Sequence, residues 1–176
     1  MEYLIVDDKN VKTAIQIQEK IFPLESAEDA LRRAATNNIY SYLKSLKYWL
    51  VKKNGKYVGI CGLYAYNSDP KDAWLGWFGV LESERKKGYG TQILSHIMQL
   101  AKELGYENFR LYTDEISNAK AVKLYESFGM IREIYNNSED SHFQIGNTLI
   151  FSKNLLNKPT SLWNNKNLFL GGWIKD

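Results

Sequence analysis

WLGWFGVLESERKKGYGTQILSHIMQLAKELG, residues 74–105, decides how the rest of the chain is read. An apolar, aromatic run breaks at Glu82 into a charged turn and then becomes a long amphipathic segment. The order is strand, glycine-rich loop, helix. In the helix Ile93, Ile97, Leu100 and Leu104 recur on one stripe, with Leu94, Met98 and Ala101 beside it and Gly105 as the stop. Arg85, Lys86 and Lys87 precede Gly88 and Gly90, so main-chain N–H groups opening the helix can approach an anion without obstruction by side chains at two positions. Three cations and the positive end of the helix supply the field for a pyrophosphate. The bland reading of the same residues is a glycine-rich turn whose basic side chains lie in solvent. No Gly-Lys-Ser or Gly-Lys-Thr follows, which excludes the usual nucleoside triphosphate loop, and the absence of GxGxxG argues against a dinucleotide fold.

Upstream, Tyr3–Val6 reads as a first strand and Val11, Ala14, Ile15, Gln18 and Ile21 or Phe22 as a helix face running up to Pro23. A second helix is predicted from Ser26, continuing in broken form through Tyr40 to Leu46. Residues 48–53 and 56–66 are rich in aromatic and β-branched residues and flank Asn54-Gly55, the preferred two-residue hairpin turn. Residues 73–81 form the next strand, in which Gly76 and Gly79 predict a bulge or a close ligand approach. Downstream, 107–113 reads as a strand. A helix capped by Ser117 or Asn118 follows, with Ala121, Val122, Leu124, Tyr125 and Phe128 facing inward, and a strand pair at 130–135 and 143–153 closes the chain. The hairpin requires antiparallel pairing and the later strand–helix–strand order requires parallel pairing. The fold class is therefore α/β with a mixed sheet.

The length of 176 residues suits one domain, taken as residues 1–156. Residues 157–176 have no helical period but carry Trp163, Leu168, Phe169 and Trp173, so this appendage is expected to pack on its own domain or on a second subunit in a homodimer. The formal charge is only +3 and acidic residues interleave with basic ones, which places nucleic acid last among partners. No membrane-length apolar window or export signal is evident, so the expected location is the cytoplasm. The lone Cys61 lies in the apolar segment GICGLYAY and reads as a buried structural thiol rather than a nucleophile.

VLESERKKGYGTQIL resembles motif A of the GCN5-related N-acetyltransferases, and NAKAVKLYESFGM at 118–130 resembles their motif B at a typical spacing. The resemblance covers residues 2–153, closely over 74–130. It implies a twisted mixed sheet flanked by helices, with the fourth and fifth strands splayed and acetyl-CoA in the gap. Carried onto this chain, it assigns the main chain of Phe78, Gly79 and Val80 to the pantetheine arm. Arg85, Lys86, Lys87, Gly88, Tyr89, Gly90 and Thr91 fall to the pyrophosphate, Asn118 to the coenzyme arm and Tyr125 to protonation of the departing thiolate. Asn118 also reads as a plain helix cap and Tyr125 as a core ring. The implied reaction is direct attack of an amine, from a small molecule or peptide, on the thioester, with no metal. The family's strand carboxylate is missing from WLGWFGV, leaving Glu82 as the nearest candidate base beside proton removal through water. His96 and His142 are not expected to act chemically, and Trp77 reads as core or as acceptor wall. A coenzyme A-binding module without turnover is the other reading.

Overall fold

The computed structural model describes residues 1–137 and 147–170. His142, Phe143, Trp173 and most of the polar loop read between the last two strands lie outside them. In chain order the elements are β1 (Glu2–Ile5), α1 (Val11–Ile21), α2 (Glu28–Thr36), β2 (Leu43–Lys53), β3 (Lys56–Tyr66), β4 (Asp72–Val80), α3 (Tyr89–Glu103), β5 (Asn108–Asp114), α4 (Ala119–Ser127), β6 (Ile131–Tyr135) and β7 (Thr148–Asn154). The strands form one mixed sheet in the order β1-β2-β3-β4-β5-β7-β6, with β4 and β5 parallel and every other pair antiparallel.

Asn54 and Gly55 both take positive φ, 50° and 74°, as the tight turn between β2 and β3 requires. Residues 43–46 are strand, not helix. A register shift between Leu43 and Ser45 adds a residue to β2, so Leu43 and Leu46 are both buried at a spacing that imitates a helix face. On α3 the buried stripe is Ile93, Leu94, Ile97, Met98 and Ala101; Leu104 lies past the last turn and is exposed.

Two apolar layers enclose the sheet. One face packs on α1 and α2 through Leu31, Tyr48, Tyr64, Trp74 and their neighbours. The other packs on α3 and α4 through Ile93, Leu94, Phe109 and Phe151. The first layer also contains Trp163, Leu168 and Leu170, so the chain after Asn157 belongs to the same core as the sheet. Its Trp163 packs edge-on to Trp74 with ring centroids 4.9 Å apart. Glu133 accepts the Trp163 and Asn164 main-chain N–H groups at 2.7 and 3.0 Å, and Tyr66 donates its hydroxyl to the Leu168 carbonyl at 2.6 Å.

β4 carries two irregularities that shape everything nearby. Gly62 faces Gly76 and Ile60 faces Gly79, so Trp77 and Phe78 together oppose Cys61 in a bulge. On its other edge β4 pairs with β5 only at Asp72–Asn108, Ala73–Phe109 and Trp74–Arg110. Beyond Trp74 the strands part, while β4 runs on to Val80 and β5 to Asp114.

Candidate active site

The gap between β4 and β5 opens into a cavity of about 640 Å³. Leu75 to Phe78 supply one wall, Leu111 to Asp114 the other, and Asn118, Ala121 and Tyr125 of α4 close one side. The opposite side comes from the α1–α2 loop and from Tyr40, Tyr48 and Tyr64.

At the far end of β4 the chain makes a 3₁₀ turn (Glu82–Glu84), then extended Arg85, then Lys86 and Gly88 at positive φ, 63° and 76°. That path leaves the N–H groups of Lys86, Lys87, Gly88, Tyr89, Gly90 and Thr91 without an acceptor among the described residues; the first bonded amide is that of Gln92, to Gly88. Consecutive free amides at a helix N-terminus make an anion cradle. The cations are less free than their sequence suggests. Arg85 donates its Nε to the Val80 carbonyl at 3.1 Å, fastening the loop to the strand. Lys87 is paired with Glu84 at 2.8 Å, and that bond raises its pKa. Lys86 alone of the three has no side-chain partner among the described residues.

The two glycines of the loop differ in their reasons. Gly88 needs its left-handed φ. Gly90 is ordinary helix, and a methyl there would meet Leu124 at 3.8 Å and Phe78 at 3.9 Å, which is normal contact. Neither backbone nor packing demands glycine at 90. The same distances show that the bulge of β4, the start of α3 and the middle of α4 converge at this point. Gly76 and Gly79, by contrast, are explained by protein packing. A methyl on Gly76 would stand 3.1 Å from the Tyr48 ring, and one on Gly79 would stand 2.4 Å from Ile21.

Tyr125 is 5% exposed, tilts against Phe151 at 5.4 Å and lines the cavity. Its hydroxyl has no hydrogen-bond partner among the described residues, and burial pushes its pKa well above that of an ordinary tyrosine. Asn118 occupies the N-cap position of α4, but its side chain does not cap. Asp114 fixes the turn that leads into the helix, its Oδ1 accepting the N–H groups of Ile116 and Ser117 at 2.9 and 2.7 Å. Asn118 is among the residues that line the cavity. Glu82 is exposed on the 3₁₀ turn, outside the cavity lining. The lining carboxylates are Glu25, Asp29 and Asp114, none of which the sequence pattern singled out. Asp29 accepts from Tyr40 at 2.6 Å and from Arg33 at 2.9 Å. The Asp-x-Ile-Ser spacing at 114–117 was a legible turn signal for the third. His96 is remote, stacked on Tyr3 at 3.6 Å, and Cys61 is wholly buried with its thiol pKa pushed up to about 12. No group of three or more His, Cys, Asp or Glu comes together among the described residues, and none of their helices is long and apolar enough to cross a membrane.

The parallel strands thus splay beside the N-terminus of α3, with Tyr125 of α4 lining the gap. A model of the acetyltransferase (GNAT) family matches residues 12–130, and the chain belongs to that family. It is 27% identical over 126 residues to N-alpha-acetyltransferase 50 of Danio rerio, covering 70% of each chain. Similar solved structures include the ribosomal-protein-S18-alanine N-acetyltransferase from Escherichia coli, with a TM-score of 0.66, 18% identity and coverage of 88% of this chain and 94% of that one. Spermidine N-acetyltransferase from Vibrio cholerae, in complex with CoA and spermine, superposes with a TM-score of 0.67 at 14% identity, covering 88% and 95%. At these identities the likeness is one of fold.

Proposed function

We propose that this protein transfers the acetyl group of acetyl-CoA to a primary amine of a small molecule or peptide by direct attack. The observation that carries the reading is the run of acceptor-free amides from Lys86 to Thr91, placed beside the unpaired edge of β4. The amides and Lys86 hold the pyrophosphate, and Gly90 lets it approach the helix closely. Phe78, Gly79 and Val80 offer main-chain groups to the pantetheine arm, as a strand would. Asn118 reaches the same arm from α4.

When the coenzyme is bound, its thioester supplies an activated acetyl carbonyl. The amine nitrogen bonds to that carbon, the C–S bond breaks, and Tyr125 gives its hydroxyl proton to the departing sulfur. A tyrosine hydroxyl carries its proton at neutral pH and so is available to donate it. The amine loses its own proton to water in the cavity, with Glu25 and Asp114 as lining carboxylates that can take it onward. Glu82 stands outside the lining and is not assigned this step.

Calorimetry with coenzyme A, followed by thiol release from acetyl-CoA over a panel of amines, polyamines and peptides, tests the reading. Tyr125→Phe should lower kcat by about 100-fold or more with coenzyme affinity retained. Tight coenzyme binding with no transfer to any acceptor would instead establish a coenzyme A-binding module.

A further inference from the structure

We propose that the C-terminal strap, residues 157–170, backs the inner end of the acceptor arm of the cavity and reaches it through Leu170, and that Leu170 is a specificity-determining residue that limits acceptor length. This rests on the donor reading above. The pyrophosphate cradle lies past Val80, at the open end of the splay, and the strands meet again at Trp74. At about 3.3 Å per residue, the six residues between those points span about 20 Å. A donor entering at the cradle therefore directs its acyl end toward the closed end, and an acceptor occupies what remains of the cavity there.

The strap covers that closed end. Trp163 packs on Trp74, the last β4 residue paired with β5. Phe169 stacks on Tyr42 at 5.4 Å and lies 5.8 Å from Tyr66, which itself packs edge-on to Trp74. Leu170 follows, 4% exposed, and is the one described residue of the strap that lines the cavity, alongside Tyr40, Tyr48 and Tyr64.

The wall is fixed rather than draped. Arg110 donates to the Ser161 carbonyl at 2.8 Å, and Tyr135 accepts the Leu168 N–H at 3.0 Å while Tyr66 bonds its carbonyl. Trp163 and Leu168 are 1% and 0% exposed. An apolar side chain held this firmly sets a length limit, because overfilling a packed wall costs more than leaving it. The chemistry of the inner end, three tyrosines and a leucine with Asp29 bonded to Tyr40, suits a primary amine carried on a short apolar or aromatic body.

The test needs no natural acceptor. Thioethers of coenzyme A bearing straight alkyl chains of increasing length project from the sulfur into the acceptor arm, and calorimetry reads their affinity for the full chain. Affinity should rise by about fourfold per methylene up to a limiting length and then stop rising. Leu170→Ala should move that limit at least one methylene longer, and Leu170→Trp should move it shorter, with affinity for coenzyme A itself unchanged in both. Leu170→Val carries the first arm if the alanine variant melts below the assay temperature. A limit that stays in place in all variants, with coenzyme A bound normally, overturns the role of Leu170 and leaves the donor reading intact. Failure of the wild-type protein to bind coenzyme A overturns the donor reading and this inference with it.

Discussion

Trp74 stands opposite Arg110 in the last parallel pair of β4 and β5, and the strands separate immediately beyond them. Arg110 is 3% exposed, and its guanidinium holds Asp72 at 2.6 Å, Ser152 at 2.7 Å and Ser161 at 2.8 and 3.0 Å. One buried cation thus ties the vertex of the splay to β7 and to the strap. Trp163 adds its ring to the same knot, 5.5 Å from the guanidinium.

Removing one member of that pair should damage stability more than removing both. Arg110→Met leaves the Asp72 carboxylate buried without its cation, with an expected loss of about 3–5 kcal/mol in urea unfolding. Asp72→Leu combined with Arg110→Met should recover part of that loss, because neither charge then remains to be desolvated. Equal losses in the single and double variants would show that packing, not the uncompensated charge, dominates at the vertex.

The two loop glycines should separate folding from binding. Gly88→Ala forces a side chain into a left-handed conformation and should cost about 1 kcal/mol or more, seen as a lowered melting temperature. Gly90→Ala meets only ordinary contacts and should keep or slightly raise the melting temperature, since alanine favours a helix. Its effect should appear in calorimetry as weaker coenzyme A binding. Unchanged affinity in Gly90→Ala would remove close ligand approach as the reason for glycine there.

The elements that frame the proposed donor half of the cavity were legible in sequence because their devices are local. A tight turn, a helix start and a stripe of α3 each fit within a few residues, and α4 follows the same rule. The acceptor half was not legible, because Glu25, Asp29, Tyr40, Tyr64 and Leu170 come from distant segments and meet only through the sheet order. Gly76 shows the same divide. The sequence pointed to a bulge or a ligand approach, and the bulge is there; the packing reason for Gly76, the Tyr48 ring, lies one strand beyond its neighbour in the sheet and was not legible. The strand residues 43–46 misread as helix because a bulge changes a two-residue period into a three-residue one.

Stability should fall as pH rises into the alkaline range. Cys61 is raised to about 12 and Tyr125 is raised further, both by burial, so the folded state disfavours their ionised forms. The stability these groups contribute is complete below their unfolded pKa values, about 8.5 for the thiol and about 10 for tyrosine, and is lost as pH climbs through the folded values. Each group adds a slope of about 1.4 kcal/mol per pH unit once its unfolded form ionises. Urea midpoints measured from pH 8 upward should show Cys61→Ala falling less steeply than the wild type between about pH 8.5 and 10, whatever its baseline.

Gln18 should act on the acceptor wall without touching an acceptor. It is wholly buried in α1, donates its Nε2 to the Glu25 carbonyl at 3.0 Å and accepts the Ala27 N–H on Oε1 at 3.1 Å. Those two bonds fix the loop that brings Phe22, Glu25 and Ser26 to the cavity. Phe22 in turn packs edge-on to Trp77 at 5.1 Å, against the bulge of β4. In Gln18→Leu both loop groups lose their partner while the buried volume is nearly kept, so stability should fall by about 1–3 kcal/mol. The loosened loop should raise the acceptor KM about tenfold, with a smaller effect on the affinity for coenzyme A, because both side-chain hydrogen bonds of Gln18 go to the α1–α2 loop. Gln18→Glu can keep both bonds while its carboxyl is protonated, and should lose stability as pH rises, because ionisation removes the donor to Glu25 and buries an unpaired charge. A fall in kcat with KM preserved would mean that the loop serves the reacting atoms and not acceptor binding.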